Sequence, residues 1–124
     1  MKLLVMGAGY VGEELLKHLQ TQKHKLFITT THKERVNALS CYGCSVLLPR
    51  EDKAFKELID SCDGMIILVA TKHGQSYEEV YLKMAKRVSL ALKDRQAPFY
   101  LLYTSSTSVC EGQNEWVTED EIFC

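Results

Sequence analysis

The sequence predicts an α/β domain built on a doubly wound parallel sheet with helices on both faces. Short apolar segments alternate with amphipathic segments over residues 2–103. This alternation is typical of parallel strands joined by right-handed helical crossovers. The first apolar segment breaks at Gly7, Gly9 and Gly12, directly before the first amphipathic segment. A Gly-x-Gly-x-x-Gly turn in that place joins a strand closely to a helix.

The spacing of apolar residues predicts each element. Continuous or alternating apolar runs predict strands, and apolar residues three and four apart predict helices. The run over residues 64–70 is continuously apolar, as expected for a central strand covered on both faces. About five strands joined in this way are expected in the order 3-2-1-4-5, with a ligand at the carboxyl ends of the first and fourth strands. The predicted strands cover residues 2–6, 25–29, 45–48, 64–70 and 97–103, and the predicted helices cover 13–22, 33–40, 52–61 and 76–92.

Composition is that of an ordinary globular domain. Apolar residues make up 46% of the chain, charged residues 25%, and the net charge is −1. No basic excess indicates a nucleic-acid partner, and no apolar run has the length of a membrane span. Because a strand begins at once, we expect no signal peptide and a cytoplasmic location. We expect one domain over residues 1–124, with sheet and helices in 1–103 and a polar tail over 104–124.

The glycine turn predicts a dinucleotide site of the Rossmann type. Gly7 permits the tight turn, Gly9 lets a pyrophosphate approach the backbone, and Gly12 lets the helix pack against the strand. Tyr10 and Val11 lie in the same turn and are expected to line the cofactor. The helix N-terminus then offers N–H groups and the positive end of its dipole to the phosphates. The alternative is a glycine turn of some other α/β fold.

The segment after the second strand favours NADP over NAD. An NAD-binding unit usually places an acid about 20 residues beyond the glycine turn, where it binds the ribose. Here that place is occupied by Thr30, Thr31, His32, Lys33 and, after one acid, Arg35. Hydroxyls and cations suit a 2′-phosphate better than a 2′-hydroxyl. An ordinary polar turn with Thr31 as a helix N-cap explains the same residues and is compatible with that role.

The five cysteines are expected to be reduced thiols, because their number is odd and no secretory signal precedes them. Cys41 and Cys44 have the spacing of a zinc or redox pair. A zinc site needs further ligands at matching spacing, and the sequence shows none. A redox pair belongs at a helix N-terminus, whereas this one lies between a helix end and a strand. We interpret both residues as structural, buried as small apolar side chains.

A serine-rich segment after the fifth strand carries a family resemblance. Residues 100–110 are Tyr-Leu-Leu-Tyr-Thr-Ser-Ser-Thr-Ser-Val-Cys, and Trp116 and Glu119 follow. Together with the Gly-x-Gly-Tyr-Val-Gly turn, this segment resembles the NAD(P)-dependent epimerase/dehydratase family, the extended and atypical short-chain dehydrogenases. Members of that family carry a strand that ends in Ser-Ser-x-x-Val-Tyr-Gly. The resemblance spans the whole chain and is greatest to the nucleoside-diphosphate-sugar epimerase-like branch.

The resemblance implies roles for four residues. Ser106 corresponds to the catalytic Ser/Thr that hydrogen-bonds a substrate hydroxyl or carbonyl. Ser105 would lie beside the nicotinamide, and Ala70 and Thr71 would line the cofactor at the end of the fourth strand. On the residues alone, the preferred interpretation of the serine run is a polar loop whose hydroxyls bond the local backbone.

The chain also departs from the family pattern. Cys110 and Glu111 stand where the family has tyrosine and glycine, and no tyrosine is followed four residues later by lysine. The family's Tyr-x-x-x-Lys pair supplies the general acid/base. The resemblance places that pair and a substrate-binding part beyond residue 124. We therefore expect a truncated or incomplete enzyme that catalyses neither epimerisation nor carbonyl reduction by itself.

Two other functions stay open on the sequence. A regulatory nucleotide-binding module of the potassium-transport gating type has a similar length and the same glycine turn, but usually carries an acid after the second strand. A fold remnant that binds nothing is the other possibility. In each case the apolar fifth strand, with Phe99, Leu101 and Tyr103, is expected to form a sheet edge that self-associates or is covered by a second chain.

Overall fold

Five parallel strands form one sheet in the order β3-β2-β1-β4-β5. The computed structural model describes residues 1–68, 76 and 78–104. The order and the parallel direction of the strands confirm the predicted doubly wound sheet. In such a sheet β2 and β3 are added on one side of β1, and β4 and β5 are added on the other side. The strands are β1 (Lys2–Met6), β2 (Lys25–Thr30), β3 (Cys44–Leu47), β4 (Gly64–Ile67) and β5 (Tyr100–Tyr103).

Helices connect the strands where the sequence predicts them, with two differences in winding. The predicted helix over residues 76–92 is α-helical only in its second part, because residues 78–82 adopt the wider π-helical winding. A 3₁₀ turn, Lys33–Arg35, also precedes the short second helix. The α-helices are α1 (Tyr10–Thr21), α2 (Val36–Leu39), α3 (Asp52–Asp60) and α4 (Lys83–Leu92).

Both faces of the sheet are buried, because successive side chains of a strand point to opposite sides. One face packs against α3 and α4, and the other packs against α1 and α2. The first buried cluster consists of Leu4, Met6, Phe55, Ile59, Cys62, Met65, Ile67, Val88 and Ala91. The second consists of Leu3, Val5, Ala8, Leu16, Leu26, Ile28, Leu39 and Ile66.

The predicted ends of four strands are wrong by one to three residues, and pairing with the neighbouring strand explains the differences. β2 ends one residue later than predicted, at Thr30, which pairs with Leu47 of β3. β3 begins and ends one residue earlier than predicted, at Cys44 and Leu47. β4 ends at Ile67, because its partner β1 ends at Met6 and turns into the glycine segment. β5 begins three residues later than predicted, at Tyr100, which pairs with the first residue of β4. Ala70, the predicted end of β4, lies outside the described residues.

The fifth strand is an exposed apolar edge, as predicted. Its four residues are 64%, 52%, 57% and 38% exposed, from Tyr100 to Tyr103. Because alternate residues face opposite sides of the sheet, this edge is open on both faces. It is the largest group of consecutive exposed apolar residues within the described part of the chain.

The interpretation of Cys41 and Cys44 as buried is wrong, since both are exposed. Cys44 begins β3, the other edge of the sheet, where few side chains are covered, and Cys41 lies in the turn before it. Cys62 is buried instead, and burial raises the pKa of its thiol above the usual range. Within residues 1–68, 76 and 78–104, no group of three or more His, Cys, Asp or Glu side chains could hold a metal ion.

No helix in the described part of the chain combines the length and the apolar character that crossing a bilayer requires. The longest α-helix described, α1, has 12 residues.

Candidate functional site

The glycine turn converts β1 into α1 within three residues. Gly7 has a φ of 90°, in the left-handed region that glycine adopts readily and other residues rarely do. The N–H of Gly9 donates to the carbonyl of Gly7 at 2.8 Å and closes the turn. The N–H of Glu13 donates to the carbonyl of Gly9 at 2.9 Å, which is the first hydrogen bond of α1.

The other two glycines of the turn differ in what the fold requires of them. A Cβ at Gly12 would lie 2.6 Å from the carbonyl oxygen of Gly7, so the close packing of α1 on the turn excludes a side chain. A Cβ at Gly9 would meet no heavy atom within 4 Å in the described chain. The φ of Gly9 is −85° and its ψ is −148°. Space within the described part of the fold therefore does not require glycine at position 9.

The N-terminus of α1 opens onto this free space without a capping side chain. The first N–H groups of an α-helix have no hydrogen-bond partner within the helix, and they form the positive end of the helix dipole. Tyr10 and Val11, the first two residues of α1, are 91% and 64% exposed. The arrangement fits an anion with an attached flat or apolar group, such as a nucleotide phosphate.

Residues of the loop after β2 make polar contacts with one another. The hydroxyl of Thr30, a buried residue at the end of β2, accepts a hydrogen bond from the N–H of His32 at 3.1 Å. Nδ1 of His32 lies 3.5 Å from a carboxylate oxygen of Glu34. Thr31 is exposed, and its prediction as an N-cap is wrong, because His32 occupies the N-cap of the 3₁₀ turn and no side chain caps it.

Arg35 reaches from this loop across to the glycine turn. Its Nη1 donates to the carbonyl of Ala8, the residue between Gly7 and Gly9, at 2.5 Å. Its Nη2 donates to Oε2 of Glu13 at 3.1 Å. The side chain is 34% exposed. The structure thus brings one of the predicted cofactor residues into direct contact with the turn, across 27 positions of sequence.

Two residues at this edge of the site were missed in the sequence: Glu13 and Tyr42. The Tyr42 hydroxyl donates to Oε1 of Glu13 at 3.2 Å. Partial burial and this hydrogen bond raise the pKa of Tyr42, so the hydroxyl remains protonated and a donor at neutral pH. Glu13 offered a local signal, as an acid in the first turn of α1 beside the glycines. Tyr42 offered none, because 29 positions separate it from Glu13.

Four predicted site residues, Ala70, Thr71, Ser105 and Ser106, lie outside the described residues. The described chain reaches the same edge of the sheet at Thr104, directly after β5. Both the N–H and the hydroxyl of Thr104 donate to the carbonyl of Ile67, each at 3.2 Å. These bonds hold the end of β5 against the end of β4.

No family model matches the chain, and no curated protein matches it in sequence. Solved structures match it in fold. UDP-glucose-4-epimerase from Stenotrophomonas maltophila superposes with a TM-score of 0.82 at 22% identity, over 100% of this chain. UDP-N-acetylglucosamine 4-epimerase from Bacillus cereus superposes with a TM-score of 0.75 at 16% identity, also over 100% of this chain. The chain therefore shares the fold of these two epimerases. This is the fold that the resemblance in the glycine turn and the serine-rich segment implies.

The yeast methylglyoxal/isovaleraldehyde reductase Gre2 extends this comparison to a reductase, with a TM-score of 0.70 at 15% identity over 88% of this chain. The Stenotrophomonas structure contains NAD and formylated UDP-arabinopyranose, and the yeast structure contains NADPH. This chain spans 43%, 47% and 38% of the three proteins, in the order in which they are named above. It therefore corresponds to less than half of the length of each.

Proposed function

We propose that this chain binds a nicotinamide dinucleotide and is the cofactor-binding part of an epimerase/dehydratase-like protein. Gly9 carries the proposal. Within the described residues the fold leaves open space where a Cβ at Gly9 would lie, and a pyrophosphate that approaches the backbone in front of α1 would use that space. The uncapped helix N-terminus supplies N–H donors for the same group. Proteins of the same fold contain NAD or NADPH, which supports the proposal.

The proposed orientation follows from the two sides of the turn. The pyrophosphate lies over Gly9, and the adenosine lies toward Arg35 and the loop after β2. By the family resemblance, Ser105 would lie beside the nicotinamide, which supplies or accepts a hydride when the cofactor is bound, and Ala70 and Thr71 would line the cofactor. Ser106 then orients a substrate oxygen. Because the 124 residues contain no Tyr-x-x-x-Lys, we propose that this chain does not complete the reaction by itself.

Calorimetric titration of the purified chain with NADPH, NADH, ATP and ADP tests the proposed function. We expect saturable binding of a dinucleotide, and weaker binding of the mononucleotides, which lack the nicotinamide half. Binding of ATP or ADP in preference to both dinucleotides would favour the regulatory module instead. Absence of binding by all four nucleotides would contradict the proposed function.

We further propose that NADPH binds more tightly than NADH, because the guanidinium of Arg35 reaches from the loop after β2 to the turn at Ala8. An Arg35→Gln variant is expected to lose about tenfold in NADPH affinity and to keep its NADH affinity. This is the low end of the range for a hydrogen bond to a charged group, since the guanidinium is partly exposed. Isothermal titration calorimetry measures both affinities.

Arg50→Gln is the matched control for Arg35→Gln, because it removes an exposed guanidinium from the connection between β3 and α3. It should change neither affinity. Tighter binding of NADH than of NADPH by the unmodified chain would contradict the preference. Thermal unfolding of both variants shows whether the lost contacts of Arg35 also affect stability.

We also propose that the exposed β5 edge is covered in the cell by a second copy or by another chain. At high concentration the purified protein is expected to exceed the monomer mass in light scattering, because an exposed apolar edge strand pairs readily with another strand. Leu101→Lys should return it toward the monomer, since charge on an edge strand opposes pairing. A strict monomer that binds no apolar dye would contradict the proposal.

A further inference from the structure

Glu13 forms an ion pair with Arg35, the residue proposed to contact the 2′-phosphate of NADPH. Its Oε2 lies 3.1 Å from Nη2 of Arg35, and its Oε1 accepts a hydrogen bond from Tyr42 at 3.2 Å. Glu13 is thereby held by two residues, Arg35 before α2 and Tyr42 after it. The carboxylate is 41% exposed, so solvent and any bound ligand also have access to it.

Arg35 keeps donors for a ligand despite these contacts. A guanidinium has five N–H donors. Ala8 and Glu13 each accept a hydrogen bond from one of them, and the bonds among the described residues leave the other three donors available. Arg35 can therefore still donate to a phosphate, although the nearby carboxylate offsets its charge. A second carboxylate in the loop, that of Glu34, lies beside His32 at 3.5 Å.

We infer that Glu13 weakens the preference of the site for a 2′-phosphorylated cofactor, by compensating the charge of Arg35. The inference rests on the proposed dinucleotide function and assigns a specificity-determining role to a residue outside the glycine motif. A phosphate with two negative charges beside Arg35 also interacts unfavourably with the Glu13 carboxylate. A 2′-hydroxyl carries no charge, so Glu13 affects the binding of NAD much less. The chain thus carries its cofactor-selecting acid on α1, whereas β2 ends in Thr30.

Glu13→Gln tests this inference, because it removes the charge and keeps the length and an acceptor oxygen of the side chain. Calorimetric titrations with NADP⁺ and NAD⁺ give the two dissociation constants. We expect binding of NADP⁺ to become about two- to fivefold tighter, the range for a partly exposed charge pair, and binding of NAD⁺ to stay within error. Glu14→Gln is the matched control. It removes the same charge one residue further along α1, where the partner is Lys17, and should change neither constant.

Tyr42→Phe separates the effect of the Glu13 charge from the effect of the position of the Glu13 side chain. It removes the hydroxyl that holds Glu13 and leaves the carboxylate in place, so the ratio of the two dissociation constants should change less than in Glu13→Gln. An equal or larger change in Tyr42→Phe would overturn the inference. So would NADP⁺ affinity that is unchanged or weaker in Glu13→Gln while the unmodified chain binds both cofactors. If the unmodified chain binds neither cofactor, the proposed function itself is overturned, and the inference with it.

Discussion

A Gly9→Val variant is expected to fold normally and to lose dinucleotide binding. A Cβ at this position meets no heavy atom within 4 Å in the described residues, so the isolated protein has room for the side chain. The proposed pyrophosphate occupies that room. Overpacking of a fitted contact by extra methyl groups costs about 1–3 kcal/mol, which corresponds to roughly a 5- to 150-fold loss of affinity. NADPH affinity is measured by calorimetry, and folding by the circular dichroism spectrum and the thermal midpoint.

Gly9→Ala is expected to cause a smaller loss of dinucleotide affinity than Gly9→Val. One methyl group fills less of the space than an isopropyl group, so its loss of affinity should lie between those of the unmodified chain and Gly9→Val. A folded Gly9→Val variant with unchanged NADPH affinity would show that no ligand approaches the backbone at Gly9. The glycine turn would then be a structural feature alone.

Gly12→Ala is expected to destabilise the protein, by about 1–3 kcal/mol. The added Cβ would lie 2.6 Å from the carbonyl oxygen of Gly7 and 3.4 Å from Cδ1 of Leu68. The nearer atom belongs to the backbone, so it cannot rotate away and α1 must shift instead. Intrinsic helix propensity predicts the opposite sign, since alanine is favoured over glycine in a helix by about 1 kcal/mol. Urea denaturation gives the free energy of unfolding and decides between the two.

Gly9→Ala is also the control for Gly12→Ala, because it adds the same methyl group three residues earlier in open space. It should change the free energy of unfolding by less than Gly12→Ala does. A Gly12→Ala variant as stable as the unmodified protein would contradict the close approach of α1 to the turn. For a domain of this size, a loss of 1 kcal/mol lowers the thermal midpoint by about 4 °C or more.

The order of the elements was predictable from the sequence, because the period of the apolar residues is a local property. A strand with apolar residues throughout, such as β4, and a helix with apolar residues on one face, such as α3, each show their type within ten residues. The ends of the strands were not predictable to the residue. β4 ends at Ile67 because β1 offers no further partner, and a strand cannot show in its own sequence where its neighbour stops.

The sequence by itself determined the glycine turn and its place between β1 and α1, since the three glycines and the flanking segments are close together in the chain. Tertiary structure decided what surrounds the turn. Arg35 contacts Ala8 across 27 positions and Glu13 across 22, and Tyr42 contacts Glu13 across 29. Such contacts exist only after β2 and β1 pair and bring the loops at their carboxyl ends to one edge of the sheet. The exposure of Cys44 has the same origin, because the position of β3 at the edge of the sheet is a property of strand order and not of the sequence around the cysteine.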